Sequence, residues 1–182
     1  LKVVSGAFNA EYGNAMSGIV NIQIKEGGQN YSGNISMYTG DRYSNDTDLY
    51  TNIDDFELLN RQTWEGYLSG PIPLTKDKLT FNTSLRYSGQ DGYLYGVREH
   101  DVQDYANFET ENWYIQMGGD SSLVAMNPSE SFNQLVKFTY KLTPRLKLST
   151  QYLGSQGVSQ SYSHFYKYNP DGRSTSQSNN NN

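Results

Sequence analysis

The sequence predicts an all-β fold built from long antiparallel strands. Apolar and polar residues alternate with a period of two over several stretches, which is the periodicity of a strand whose two faces meet different surroundings. Aromatic residues make up 14% of the chain, with 16 Tyr against 7 Phe and 2 Trp. Helical signal is scarce, and only 54–60 is expected to form a short helical turn. With 35% hydrophobic residues and a mean hydropathy of −0.75, a conventional core would be thin.

Composition excludes several classes of protein. No run approaches the roughly 18 apolar residues of a membrane-spanning helix. The aromatic and β-branched content argues against disorder. The chain has no Cys, and His100 and His164 lie far apart in sequence, so neither a disulfide framework nor a Cys-based or His-rich metal site is expected. A net charge of −5 argues against a nucleic-acid partner.

The strands follow in chain order. An early strand is expected over 18–25, followed by five longer ones over 31–40, 62–70, 78–92, 132–142 and 145–162. The alternation is clearest in 79–88, where Phe81 and Leu85 fall on one face and Asn82 and Arg86 on the other. The predicted apolar rows contain no charged residue, whereas Lys137, Lys141 and Lys147 lie on the polar side of their strands. A cation on a lipid-facing surface would cost about 2–4 kcal/mol near the bilayer midplane.

The connections indicate which all-β architecture this is. Short links at 71–77 and 143–144 alternate with long ones at about 41–61 and 92–131, and a third long one begins at 167. Alternating short and long links between strands of about 9–11 residues are typical of an outer-membrane β-barrel with short periplasmic turns and long outer loops. Five strands cannot close a barrel, so we expect the remaining strands to lie beyond Asn182. The start at Leu1 and the polar stretch 174–182, which is expected to close no element, suggest a fragment.

The first 28 residues, LKVVSGAFNAEYGNAMSGIVNIQIKEGG, differ in kind from the rest, because glycines punctuate a short strand, a compact turn and a second strand. This segment resembles the end of the plug domain in TonB-dependent outer-membrane receptors. The matching residues are Gly6, Ala10, Tyr12, Gly13, Ala15, Gly18, Val20, Asn21, Ile22, Lys25 and Gly27. We expect them to have structural roles rather than to contact ligand.

A second patch, SGPIPLTKDK at 69–78, resembles the first periplasmic turn of these receptors, particularly the large ones of Bacteroidota-type bacteria. The resemblance implies a 22-stranded barrel with a plug in its lumen, in the outer membrane of a Gram-negative bacterium. It assigns 1–28 to the end of the plug and 29–182 to the first part of the barrel, with outer loops at about 41–61, 92–131 and 167–182. The implied partners are outer-membrane lipid, a nutrient such as a siderophore, vitamin, oligosaccharide or peptide, and the TonB complex, which would act through plug residues preceding Leu1. No cofactor is implied.

The long loops hold the candidate ligand residues. They carry 14 of the 19 acidic residues, for which a solvated surface is favoured over a calcium site at Asp46 and Asp48. Exposed aromatic rings can stack on sugars or on an aromatic siderophore, so Trp113 and Tyr114 are candidate ligand contacts. For Tyr93 and Tyr95, the aromatic girdle at the membrane boundary is favoured.

Two other classes of protein remain open. A soluble β-sandwich that recognises carbohydrate is also rich in Tyr and Asn. An outer-membrane protease or lipase needs a constellation of Ser, His and Asp or of paired acids, for which His100, His164, Glu109 and Glu111 are the candidates. Catalysis is the least favoured, because no spacing in the sequence brings these residues together.

Overall fold

The computed structural model describes residues 2–4, 19–21, 23–109, 111–172 and 178–181, with side chains described for 23–109 and 111–172. Its main element is an antiparallel sheet in the order β12-β11-β10-β5-β4-β3. The five long strands are β3 (Ser32–Gly40), β4 (Arg61–Pro71), β5 (Leu79–Gln90), β10 (Ser129–Thr143) and β11 (Leu146–Ser159). They confirm the all-β prediction, and each lies within a few residues of its predicted bounds.

The smaller elements complete the described chain. They are β1 (Lys2–Val4), β2 (Ile19–Asn21), β6 (Tyr95–Val97), β7 (Ala106–Asn107), β8 (Tyr114–Ile115), β9 (Leu123–Ala125) and β12 (Ser178–Asn181), with single 3-10 turns at His164–Tyr166 and Pro170–Gly172. Pairing is antiparallel between β1 and β2, between β6 and β9, and between β7 and β8. No helix in the described residues has the length and apolar character needed to cross a membrane.

Two predictions about local structure were wrong. The stretch 54–60 forms turns rather than a helix. Residues 178–181, expected to close no element, pair as β12 with Gln156–Ser159 of β11. An asparagine-rich strand is easily missed, because asparagine favours turns and contributes no apolar alternation.

The register of the sheet places the apolar rows of all five long strands on one face. Phe81 lies opposite Phe138, and Tyr140 lies opposite both Leu79 and Leu148. This apolar face carries Ile35, Met37, Trp64, Leu68, Leu79, Phe81, Leu85, Tyr87, Phe132, Val136, Phe138, Tyr140, Leu148 and Tyr152. Within the five strands, its one charged residue is Glu130, near the end of the sheet where β10 begins.

On the opposite face, here called the polar face, several side chains are buried. Ser69, Thr80, Asn82 and Thr139 are nearly inaccessible, whereas Ile35 and Leu148 of the apolar face are 82% and 66% exposed. The described residues include only two buried hydrophobic side chains, Ile53 and Met126, and both lie in loops. The sheet therefore shields several small polar side chains, leaves charged ones such as Arg86 and Lys147 exposed, and presents its apolar side chains outward.

Residues 23–28 lie against the polar face. The Lys137 Nζ donates to the Ile24 carbonyl at 2.9 Å, and the Lys147 Nζ lies 2.6 Å from the Glu26 Oε1. Gly27 passes so close to β5 that a Cβ there would collide with the backbone of Phe81. These contacts cover part of the polar face near the short turns.

The two ends of the sheet differ. The turns 72–78 and 144–145 form one end, here called the turn end. The connections 41–60 and 91–128 and the segment 160–172 lie at the opposite end, here called the loop end. The predicted alternation of short and long connections is present, although 91–128 contains two small two-stranded sheets that the sequence did not predict.

Candidate functional site

A cleft of about 420 Å³ opens on the polar face at the loop end, where β3 and β5 end and β4 begins. Its charged and aromatic lining consists of Tyr38, Asp41, Arg42, Arg61, Glu65, Arg86 and Tyr93. The register explains the grouping, because Glu65 lies opposite Arg86 and Arg61 lies opposite Gln90 on neighbouring strands. The size falls within the range of small-molecule sites.

The two carboxylates of the cleft already have partners. The Glu65 Oε1 lies 3.4 Å from the Arg86 Nε. The Asp41 carboxylate accepts hydrogen bonds from the backbone N–H groups of Arg42 and Glu57, at 2.7 and 2.9 Å, and from the Asn60 amide at 2.7 Å. Arg42 in turn places its guanidinium 4.2 Å from the centre of the Tyr93 ring, a cation–π contact.

Asn60 fixes the rim of the cleft. Its side chain is 6% exposed and donates to the Asp41 carboxylate and to the Gly92 carbonyl, the latter at 2.9 Å. Its Oδ1 accepts from the Gly92 N–H at 3.2 Å. Gly92 has a φ of +91°, a backbone conformation that favours glycine. One buried amide therefore joins the ends of the 41–60 and 91–128 connections.

A second contact holds 91–128 to 160–172. Arg98 donates to Asp171 and Ser122 and lies 3.3 Å from Asp120. The hydrogen bonds that Asp120 accepts from Ser122, together with those from Arg98, lower the pKa of this carboxyl to about 2. Backbone bonds run alongside, from the Val97 N–H to the Lys167 carbonyl and from the Glu99 N–H to the Tyr168 carbonyl. Side-chain and backbone hydrogen bonds thus hold the 91–128 connection and the 160–172 segment together.

The candidate ligand aromatics Trp113 and Tyr114 lie at the β7–β8 pair, away from the lining of the cleft. Trp113 is 76% exposed, and its ring packs edge-on against Phe108 with centroids 5.9 Å apart. Tyr93 lies in the cleft beside Tyr50, with ring centroids 5.8 Å apart, and Tyr95 lies 3.5 Å from the Asn60 amide. Burial, followed by the charge of Asp91, raises the pKa of Tyr95.

The candidate catalytic residues are not brought into one constellation. The His100 Nδ1 lies 2.8 Å from the Gln116 carbonyl and 3.8 Å from Asp104, whereas the His164 Nδ1 lies 3.0 Å from the Tyr162 hydroxyl. Hydrogen bonds from the Gly118 and Asp101 N–H groups lower the pKa of Asp104.

The other acidic candidates do not gather into a metal site. The Asp46 carboxylate accepts from the Ser44 hydroxyl at 3.0 Å, and Asp48 lies in the turns that follow. The Glu109 N–H donates to the Asn107 side chain, and Glu111 lies beyond one residue that is not described. Across the described residues, no three His, Asp or Glu side chains gather as metal ligands.

Most of the residues that matched the plug pattern lie outside the described residues: Gly6, Ala10, Tyr12, Gly13, Ala15, Gly18 and Ile22. Val20 and Asn21 belong to β2, where they pair with Val3 and Lys2. Lys25 and Gly27 belong to the segment on the polar face. Gly27 has a direct structural reason for its identity, since only glycine fits against Phe81.

Sequence reasoning missed the arginine cleft. Alternation placed Arg86 on the polar side of its strand, but Arg42 and Arg61 fell in a predicted loop whose folding the sequence did not specify. The available signal was that Arg61 directly precedes the predicted strand 62–70 and that Arg86 lies on the polar side of the strand 78–92, whereas nothing in the sequence placed Arg42 beside them.

Comparisons with protein-family models, curated proteins and solved structures found no match to this chain.

Proposed function

We propose that this chain is part of a TonB-dependent outer-membrane transporter that imports a scarce nutrient. In this proposal, 1–28 supply the end of the plug domain, and 29–182 supply the first strands of a 22-stranded barrel. The apolar face contacts lipid, the polar face lines the lumen, and the loop end lies outside the cell. The plug-like sequence pattern and the two faces of the sheet together support it.

One observation carries the proposal: five long strands present a continuous apolar face that is exposed, while the charged side chains of the strands lie on the opposite face, apart from Glu130. In water, exposing such a face is unfavourable by about 25 cal/mol for each Å² of apolar surface. In a bilayer the same face is well solvated, and water in the lumen solvates the charged residues Arg86, Lys137 and Lys147.

The contacts of residues 23–28 agree with a plug that ends inside a barrel. Lys137 and Lys147 hold this segment on the polar face, close to the turn end of the sheet. In the proposed orientation the turn end is periplasmic, which is where a plug domain joins the first strand.

The alternative is a soluble β-sandwich that binds carbohydrate. A sandwich buries the apolar face of one sheet against a second sheet about 10 Å away. The exposure of Ile35 and Leu148 in the described sheet fits this class poorly.

Charge substitution tests whether the apolar face contacts lipid. In the complete product of the gene that encodes this chain, Ile35→Arg places a cation on the apolar face, and Asn34→Arg places one on the polar face of the same strand. If Ile35 faces lipid, Ile35→Arg costs about 2–4 kcal/mol and lowers the yield of folded protein in the outer membrane severalfold. The measurement is the heat-modifiable fraction in outer-membrane preparations.

Equal assembly of the two variants would overturn the proposal. A soluble sandwich would also leave the unmodified protein out of the heat-modifiable outer-membrane fraction, so the presence of that fraction separates the two classes. Energy coupling is tested separately, through binding of the purified periplasmic domain of TonB to the complete protein.

A further inference from the structure

The cleft at the loop end concentrates positive charge in an acidic protein. The chain has a net charge of −5, yet three of its six arginines, Arg42, Arg61 and Arg86, line this one cleft. They come from three different stretches of sequence and meet only through the register of β3, β4 and β5 and the contact of the 41–60 connection with Tyr93.

The acidic residues of the cleft do not neutralise all three. Glu65 pairs with Arg86, and Asp41 is occupied by two backbone N–H groups and the Asn60 amide. The three guanidinium groups outnumber these two carboxylates, so the lining carries one net positive charge, and Arg42 rests on the uncharged Tyr93 ring. The balance of the cleft therefore favours an anion.

Of the three arginines in the cleft, Arg61 is the one whose guanidinium has no partner among the described residues. It is exposed at the first residue of β4, and its side chain forms no hydrogen bond or ion pair with any residue that the structure describes. A guanidinium presents a planar fork of donors that matches the two oxygens of a carboxylate or phosphate.

The groups around Arg61 suit a hydroxylated solute. Tyr38 and Gln90 bring a phenol and an amide to the lining, and the Gln90 amide is held by the Ser129 hydroxyl at 3.0 Å. A volume of about 420 Å³ accommodates a molecule the size of one or two sugar rings.

We propose that this cleft binds a sugar-sized solute through an oxyanion group, either carboxylate or phosphate, with Arg61 as the principal contact and Arg42 and Arg86 providing supporting charge. The inference deepens the proposed function, on which it rests, by naming the chemical class of the imported solute. Tyr38 and Gln90 would contact the hydroxyl groups of that solute.

The test is titration calorimetry on the complete protein in detergent. The probes are galacturonate for a carboxylate, glucose 6-phosphate for a phosphate, and galactose and glucose as uncharged counterparts. We expect at least one anion to bind about tenfold or more tightly than its uncharged counterpart, and Arg61→Gln to remove that preference. The matched control is Arg145→Gln, which removes an arginine at the turn end of the sheet and leaves the preference unchanged.

Three outcomes would overturn the inference: neither anion is preferred, Arg61→Gln retains the preference, or Arg145→Gln loses it equally. Heat-modifiable mobility of the same samples reports barrel assembly. If the unmodified protein assembles normally but shows no anion preference, anion binding at the cleft is refuted and the proposed function is not. If the unmodified protein neither assembles into the heat-modifiable form nor inserts into the outer membrane, the result counts against the proposed function.

Discussion

Lys147 and Glu26 lie 121 residues apart in sequence, and their side chains meet at 2.6 Å between Nζ and Oε1. Lys147 stands near the start of β11, and Glu26 belongs to the segment that precedes β3. The hydrogen bond from Lys147 lowers the pKa of the Glu26 carboxyl. Together with the bond from Lys137 to the Ile24 carbonyl, this pair holds 23–28 on the polar face.

Removing the cation should loosen this segment. Lys147→Gln is expected to weaken the docking of 23–28 by about 0.5–1 kcal/mol, because the pair is partly exposed and screened by solvent. Hydrogen exchange at the amides of 23–28 should then accelerate by a factor of about two to five. Lys76→Gln, in an exposed turn, is the control and should leave these amides unchanged. An unaltered exchange rate in Lys147→Gln would mean that the pair contributes nothing to docking.

The same pair makes docking depend on pH. A carboxyl whose pKa is lowered on folding contributes stability that is full above its ordinary value of 4.5 and is lost as the pH falls through the lowered value. The protection factors of the amides at 23–28, which are corrected for the intrinsic exchange rate at each pH, should therefore fall on acidification of the unmodified protein. In Glu26→Gln the segment should exchange faster at neutral pH and lack this acid step.

Gly27 gives a steric prediction in the same segment. A Cβ at Gly27 would strike the backbone of Phe81, which cannot move aside within the sheet, whereas a Cβ at Gly28 would meet only ordinary contacts with Asn30. Gly27→Ala should weaken docking by about 1–3 kcal/mol. Gly28→Ala should have little effect. Limited trypsin cleavage after Lys25 measures the difference, and equal cleavage of the two variants would rule out the close approach to β5.

The strands could be predicted from sequence because alternation is a local signal. Leu79, Phe81 and Leu85 define a face without reference to any other strand, and register then joins that face to its neighbours. The cleft could not be predicted in this way, because Arg42 reaches Tyr93 only after the 41–60 connection has folded. The buried amide of Asn60 joins this connection to Gly92, and no periodic pattern identifies such a residue.

Asn60 yields the fourth prediction. Asn60→Ala removes two hydrogen bonds donated to the Asp41 carboxylate and the Gly92 carbonyl and one accepted from the Gly92 N–H, in a nearly inaccessible position. Leaving such groups unsatisfied costs about 1–3 kcal/mol. Hydrogen exchange at the Gly92 amide should accelerate correspondingly. Asn45→Ala, in an exposed part of the same connection, should leave that amide protected. Protection that persists in Asn60→Ala would show that the rim is held by other contacts.

Arg98 gives the last prediction, which concerns how the loop segments stay together. Its guanidinium reaches Asp120, Ser122 and Asp171 at once, a bridge that a glutamine side chain cannot reproduce. Arg98→Gln should therefore accelerate exchange at the Val97 and Glu99 amides, which donate to Lys167 and Tyr168, while Arg145→Gln should not.

The pKa of Asp120, lowered to about 2, sets how the contact between Asp120 and Arg98 depends on pH. The Asp120 carboxylate contributes its full stabilisation above its ordinary pKa of 3.8 and loses it only as the pH falls through about 2. In the unmodified protein, the Val97 and Glu99 amides should therefore stay protected at pH 4. Loss of protection between pH 6 and pH 4 would show that another group controls the contact.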